Sequence, residues 1–172
     1  MTSGGTYFEL FDLPQIFEID LVALDAAYER LSLEHHPDFF ATAEAGEKQE
    51  AQRISANLNE GYRILRDEIE RAAYLLELLS AGHGLDANRL PDGFLQEMFM
   101  LQEEVDDLGE DADEAQKQPL KEQTESRLNA VRGETAALFA NLGATPSAEV
   151  LQNIQTHLNC GKYLARLLAR LQ

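Results

Sequence analysis

A single cysteine, Cys160, is too few for an internal disulfide or a Cys-rich zinc cage. Set among leucines at helical spacing, it reads as a small core hydrophobe rather than a reactive thiol. Basic residues are scarce: 14 Lys and Arg stand against 31 Asp and Glu, a formal net charge of −17. Such a chain repels phosphate backbones and anionic lipid, which disfavours nucleic-acid and membrane-surface roles and points to basic or apolar partners. No apolar run is long enough to cross a bilayer, and the start, MTSGGTYFEL, has neither the basic residues nor the apolar core of a signal peptide. These absences predict a soluble, cytoplasmic protein. No segment alternates as a half-buried strand does, so the expected fold is all-α. The apolar fraction, 44%, is ordinary, and 172 residues suffice for one domain or two small ones.

Helical stripes supply the rest. Tyr7, Phe8, Leu10, Phe11 and Leu13 predict a short apolar helix stopped by Pro14. A linker leads to Asp20, a good N-cap, after which Leu21, Leu24, Tyr28, Leu31 and Leu33 form a stripe that must end near His36, before Pro37. ATAEAGEKQ reads as a loop. Ile54, Leu58, Tyr62 and Leu65 mark the next helix, and RDEIERAAYLLELLSAGHG a shorter one punctuated by Gly82 and Gly84. The glycine- and proline-rich stretch after it divides the chain into a helical unit over residues 1–80, a linker over 81–90 and a bundle over 91–172. In the bundle, Phe94, Met98, Leu101, Val105 and Leu108 form an a/d seam. Thr124, Leu128, Val131, Thr135, Leu138 and Leu142 repeat it after Pro119. Gly143 and Ser147 punctuate the turn to a third stripe of Ile154, Leu158, Leu164, Leu167, Leu168 and Leu171. Three long helices with short turns predict an antiparallel bundle.

The stretch LSLEHHPDFF, residues 31–40, carries the chemistry that needs explaining. As a metal site, adjacent His35 and His36 cannot share one helix face, and the other histidines, His83 and His157, sit in the linker and the last helix. As a catalytic pair, His36 and Asp38 lack a nearby nucleophile or a Gly-rich phosphate loop. The third reading is a helix C-terminus, with His favoured by the dipole and Pro as the stop. Composition alone favours the third.

The surroundings shift that balance. A short aromatic helix, a Leu/Tyr helix ending in His36-Pro37-Asp38, a loop, and a helix reading ISANLNEGYRILRDEIERAAYLL follow the order of the J-domain. Asn59, Tyr62, Leu65 and Arg71 fit that family's later-helix pattern. With Tyr7-Phe8, Leu10-Phe11 and Leu13-Pro14, with RAAYLL at 71–76, and with FLQEMFMLQEEVDDL in an acidic tail, the whole chain resembles the HscB family of J-type co-chaperones. No Gly/Phe-rich segment or zinc-binding repeat follows the J-like unit, as it would in general-purpose DnaJ proteins. The resemblance implies a J-domain over residues 1–80 and a client-binding three-helix bundle. It also implies stimulation of an HscA/DnaK-class ATPase and delivery of the iron–sulfur scaffold protein IscU, with no cofactor, metal or catalytic residue of the chain's own. His36, Pro37 and Asp38 would then be a docking surface, with Arg30 as its best charge and Phe39 or Phe40 pinning the loop. Two positions depart from the family: Phe39 stands where a Lys is usual, and the preceding helix, usually basic, offers Arg30 among Asp25, Glu29 and Glu34. These favour a dedicated partner over a generic chaperone. The alternatives are a His/Asp-dependent hydrolytic or metal-binding helical protein, and a J-like adaptor for another client.

A second site is expected in the tail. Leu95, Phe99 and Met100 are apolar yet lie off the seam, with Gln96 between them. Leu95 and Phe99 share a face with Glu103 and, a turn on, Asp106 and Asp107. From spacing, an acid-rimmed binding patch is as tenable as side chains that widen the core stripe or pack on the first helical unit. The resemblance makes this patch the scaffold-binding surface and places Tyr163 of the last helix in it.

Overall fold

The computed structural model describes residues 5–36, 39, 44–109 and 112–172. Among these, seven α-helices are joined by turns and irregular segments, and no strand occurs. The helices are α1 (Tyr7–Leu10), α2 (Leu21–Glu34), α3 (Ala45–Arg66), α4 (Glu68–Leu79), α5 (Phe94–Leu108), α6 (Glu114–Ala140) and α7 (Ala148–Arg170). They form two compact units, the first ending at Leu75 and the second beginning at Leu76, so the division falls inside α4.

Side-chain caps decide where most helices start. Asp20 Oδ1 accepts from the amides of Val22 and Ala23 at 2.9 and 3.2 Å, as expected, and Ser147 Oγ accepts from Val150. Reciprocal capping boxes join Thr6 with Glu9, Glu44 with Glu47, and Asp113 with Gln116. The box at Glu44 corrects one expectation: the helix begins at Ala45, so residues 45–49 are helical rather than loop. Helix α1 is shorter than its apolar stretch. It ends at Leu10 because Asp12 takes a left-handed φ of 55°, although Phe11 remains buried beyond it. Gly143 does not end α6 either. The chain leaves the helix at Asn141, whose side chain donates to the carbonyl of Ala137. Pro119 lies inside α6, near its start, and costs one hydrogen bond in the second turn.

In the first unit, α1 and α2 both pack on α3. Residue pairs run in opposite directions along α2 and α3, making them antiparallel. Tyr28 stacks on Tyr62 with centroids 4.1 Å apart, and its hydroxyl donates to Asn59. Tyr62 donates to Asp25 at 2.9 Å, and Arg66 pairs with the same carboxylate. The hydrogen bonds from Arg66 and Tyr62 hold the Asp25 carboxyl below the usual carboxylate range. Gly61 is where α1 comes closest: a Cβ there would meet Tyr7 Cδ1 at 2.6 Å. Leu24, Leu58 and Leu65 are fully buried, but Leu21 and Leu33 of the α2 stripe face solvent. Leu33 stands two residues past Leu31, about half a turn round the helix from Leu24, Tyr28 and Leu31, and so faces away from α3.

Arg71 ties this unit together. It is buried, and its Nε donates to the Phe17 carbonyl at 2.9 Å while a terminal nitrogen donates to that of Leu65 at 2.6 Å. The guanidinium also lies over the Phe17 ring, 5.2 Å from its centroid. Burial lowers its pKa, opposed by Glu68, Glu18 and Asp67. The segment read as a linker around Pro14 is thereby fixed, with Phe17 in the core.

In the second unit, α5, α6 and α7 run up, down and up. Glu97 of α5 pairs with Arg127 of α6, Glu134 of α6 with His157 of α7, and Asp106 of α5 with Arg170 of α7. Met98, Leu101 and Val105 of the seam are buried with Leu128, Leu164, Leu167 and Leu171, and Phe94 and Leu108 pack at its ends. Cys160 is buried, and burial pushes its thiol up to about 11, as befits a core position. Residues 86–89 carry no helix but are held by α7. Gln152 exchanges two hydrogen bonds with the backbone of Asp86, and Asn159 donates to the carbonyls of Ala87 and Arg89.

The Arg71 arrangement predicts that Arg71→Met destabilises the first unit by about 3 kcal/mol or more, the loss of two charged hydrogen bonds. Arg71→Lys should recover less than half, since one ammonium cannot reproduce the fork that reaches both carbonyls. Amide exchange of α3 in the full chain reads this directly; unchanged protection would show the bonds to be dispensable.

Candidate functional site

The end of α2 is the first place to look. His35 forms the C-cap of the helix, the His36 amide donates to the Leu33 carbonyl at 3.4 Å, and the Phe39 amide donates to the His36 carbonyl at 3.0 Å. His36 is exposed, with its ring edge-on to Phe39 at 6.1 Å. Phe39 is 66% exposed, so it does not pin the loop to the core as expected. Pro37, Asp38 and Phe40 lie outside the described residues. Arg30 pairs with Glu34 at 3.5 Å on the surface of α2. The clasp of Tyr28, Asn59, Tyr62, Asp25 and Arg66 lies on the α2–α3 pair from which this end projects. Asn59 and Tyr62 therefore hold the helix that presents His36. Among the described residues no three His, Cys, Asp or Glu side chains are grouped to hold a metal ion.

The second place is α5. At 3.6 residues per turn, Leu95, Phe99, Glu103, Gln96, Asp107 and Met100 fan over a face centred about half a turn from the seam. The seam is filled by its own residues and leaves this face outside. Leu95 is 55% exposed, Phe99 62% and Met100 62%. Gln96, Glu103 and Asp107 are exposed as well. The widened-core reading of Leu95 and Phe99 is therefore overturned. Tyr163 on α7 is 42% exposed, and its ring meets the edge of Phe94 at 5.9 Å and 75°. Phe94 thus links seam to surface, a role its heptad position does not reveal. Large apolar side chains standing in water beside carboxylates make a surface suited to a partner with apolar and basic groups.

A family model described as the HSCB C-terminal oligomerisation domain matches residues 90–172. The co-chaperone protein HscB homolog of Bordetella avium is 38% identical over 140 residues, covering 80% of this chain and 81% of that protein. The chain belongs to the HscB co-chaperone family. The HscB homolog of Chromobacterium violaceum is 34% identical over 139 residues, covering 80% of this chain and 74% of that protein. Among solved structures, chaperone HscB from Vibrio cholerae matches with a TM-score of 0.79 at 28% identity, over 97% of this chain and 95% of that one. The resemblance read from His36-Pro37-Asp38, its flanks and the tail segment is thus borne out at the level of family, and so is the all-α fold. No described helix is long and apolar enough to cross a membrane.

The α5 geometry yields a stability contrast. Leu95→Ala with Phe99→Ala should shift the urea midpoint only slightly, because both side chains already stand in water. Leu101→Ala, in the buried seam, should cost about 2–5 kcal/mol. Equal losses from the two variants would return Leu95 and Phe99 to the core.

Proposed function

We propose that this protein is a cytoplasmic J-type co-chaperone of iron–sulfur cluster assembly. It docks on an HscA/DnaK-class ATPase chaperone, stimulates hydrolysis there, and hands over an IscU-type scaffold protein, contributing no catalytic residue. The observation that carries this reading is that each compact unit exposes side chains its own core does not use. Those are His36 and Phe39 at the end of α2, and Leu95, Phe99, Met100 and Tyr163 on the bundle. Family membership and the tripeptide's resemblance to the J-domain signature supply the roles.

In this reading residues 1–80 act as the J-domain, 81–90 as the connection and 91–172 as the client-binding bundle. The J-domain is drawn to residue 80 because α4 runs to Leu79 and loses its last turn if cut at the boundary between units. His36, Pro37 and Asp38 contact the chaperone, with Arg30 beside them. Proline holds its backbone angle at little entropic cost, so the loop binds with less ordering to do. Leu95, Gln96, Phe99, Met100, Glu103, Asp107 and Tyr163 contact the scaffold: the apolar members supply contact area, and the carboxylates select a basic rim.

The test uses full-length protein with the organism's own HscA-class chaperone and scaffold. His36→Gln and Asp38→Asn should each abolish ATPase stimulation while the helical spectrum and Tm stay near wild type. Leu95→Ala with Phe99→Ala should weaken scaffold binding by roughly ten- to a thousandfold, each hot-spot truncation costing about 1–2 kcal/mol. Stimulation without scaffold should be unchanged in that variant. Stimulation that survives His36→Gln, or scaffold affinity that survives loss of both apolar side chains, would defeat the corresponding half of the proposal.

A further inference from the structure

Arg30, Leu33, His36 and Phe39 follow one another at three-residue steps. Within α2, positions three apart lie on one side of the helix. Past its end, the hydrogen bonds from the His36 amide to the Leu33 carbonyl and from the Phe39 amide to the His36 carbonyl keep that spacing. Residues joined in this 3-10 manner carry their side chains one above the other. The 6.1 Å separation of the His36 and Phe39 rings agrees with that arrangement. Leu33 is 67% exposed and Phe39 66%, so large apolar groups that take no part in the core occur three residues before and three residues after His36.

The charges around this stripe are negative. Glu29 and Glu34 are exposed on α2, and Glu34 pairs with Arg30 at 3.5 Å, which offsets the nearby cation. A face composed in this way does not match an acidic partner surface. It matches an apolar hollow with basic residues at its edge. We propose that Leu33 and Phe39 flank His36 as specificity-determining contacts, and that the ATPase chaperone receives them in an apolar, basic-rimmed hollow. This rests on the docking role proposed above for His36 and names the chemistry of its partner. Binding then draws on buried apolar area at the centre of the contact, which added salt does not screen, and the like charge of Glu29 and Glu34 turns away chaperones with acidic docking faces.

The experiment measures affinity of the full chain for the organism's own HscA-class chaperone by titration calorimetry, alongside ATPase stimulation. Phe39→Ala and Leu33→Ala should each weaken binding by about tenfold or more, and Phe39→Leu by less, since it keeps most of the apolar surface. Raising NaCl from about 50 to about 500 mM should change the wild-type affinity by less than about threefold, where a contact built on charges would lose far more. Circular dichroism on each variant confirms that the helices are intact. Loss of stimulation in His36→Gln with full affinity in Phe39→Ala and Leu33→Ala would overturn this inference and leave the docking reading standing. Stimulation that survives His36→Gln would overturn the docking reading itself. A steep salt dependence would show that charge rather than buried apolar area carries the contact, and would overturn the inference. A concentration-dependent dimer of the wild type that Phe39→Ala dissolves would assign the stripe to a second copy of the chain, and the inference would fall.

Discussion

Everything the first unit presents to a partner depends on how α2 is held against α3. The packing stripe alone is thin, with Leu24 the fully buried leucine of α2 and Leu21 and Leu33 outside. Polar groups complete the contact. Tyr62 stacks on Tyr28 and donates to Asp25, and Arg66 bonds both the Asp25 carboxylate and the Tyr62 hydroxyl. Such a cluster fixes the register of two helices more sharply than leucines do, because its donors and acceptors meet in few arrangements. Arg71 braces the same end of α3 by bonding the Leu65 carbonyl. The end of α2 is thus presented from a braced helix pair, and a braced presenter loses little freedom on binding.

The tail obeys a different constraint. A three-helix bundle needs one stripe from each helix, and the seam of Met98, Leu101 and Val105 satisfies that need for α5. Apolar residues beyond the seam have no internal partner, which leaves Leu95, Phe99 and Met100 available outside. The same economy appears on α7, where Gln152 and Asn159 are buried among leucines yet bond the backbone of residues 86–89. Those bonds answer the backbone groups of a segment that no helix can satisfy.

The stripes that pack were legible in the sequence, because apolar periodicity reports helix faces and capping residues report their starts. Asp20, Ser147 and the α5 seam are where the pattern places them. What escaped the sequence depends on contacts across long separations. Phe17 sits in a stretch with no periodicity, and its burial follows from Arg71, which lies 54 positions away. Gln152 and Asn159 interrupt an apolar stripe and give no sign that backbone some 70 positions off is their partner. The choice between core and surface for Leu95 and Phe99 could not be made from spacing, because a helix can bury one more row whenever a neighbour covers it. Leu33 fails in the opposite direction: it follows Leu31 by two residues, which turns it to the side of α2 away from Leu24 and Tyr28.

Exposed apolar groups are a hazard to any protein that carries them, and here both units do: Leu33 and Phe39 on one, Leu95, Phe99 and Met100 on the other. Patches of this kind tend to associate with each other unless something opposes it. The net charge of −17 supplies the opposition, since two copies approaching through these faces bring Glu29 and Glu34, or Glu103 and Asp107, into contact with their like. A basic-rimmed partner meets the same carboxylates as attraction and speeds its own encounter. The acidity that argued against nucleic acid and lipid in the bare sequence therefore has a positive use. It lets the protein keep its sticky residues in water and, in the proposed function, reserves them for partners of opposite charge.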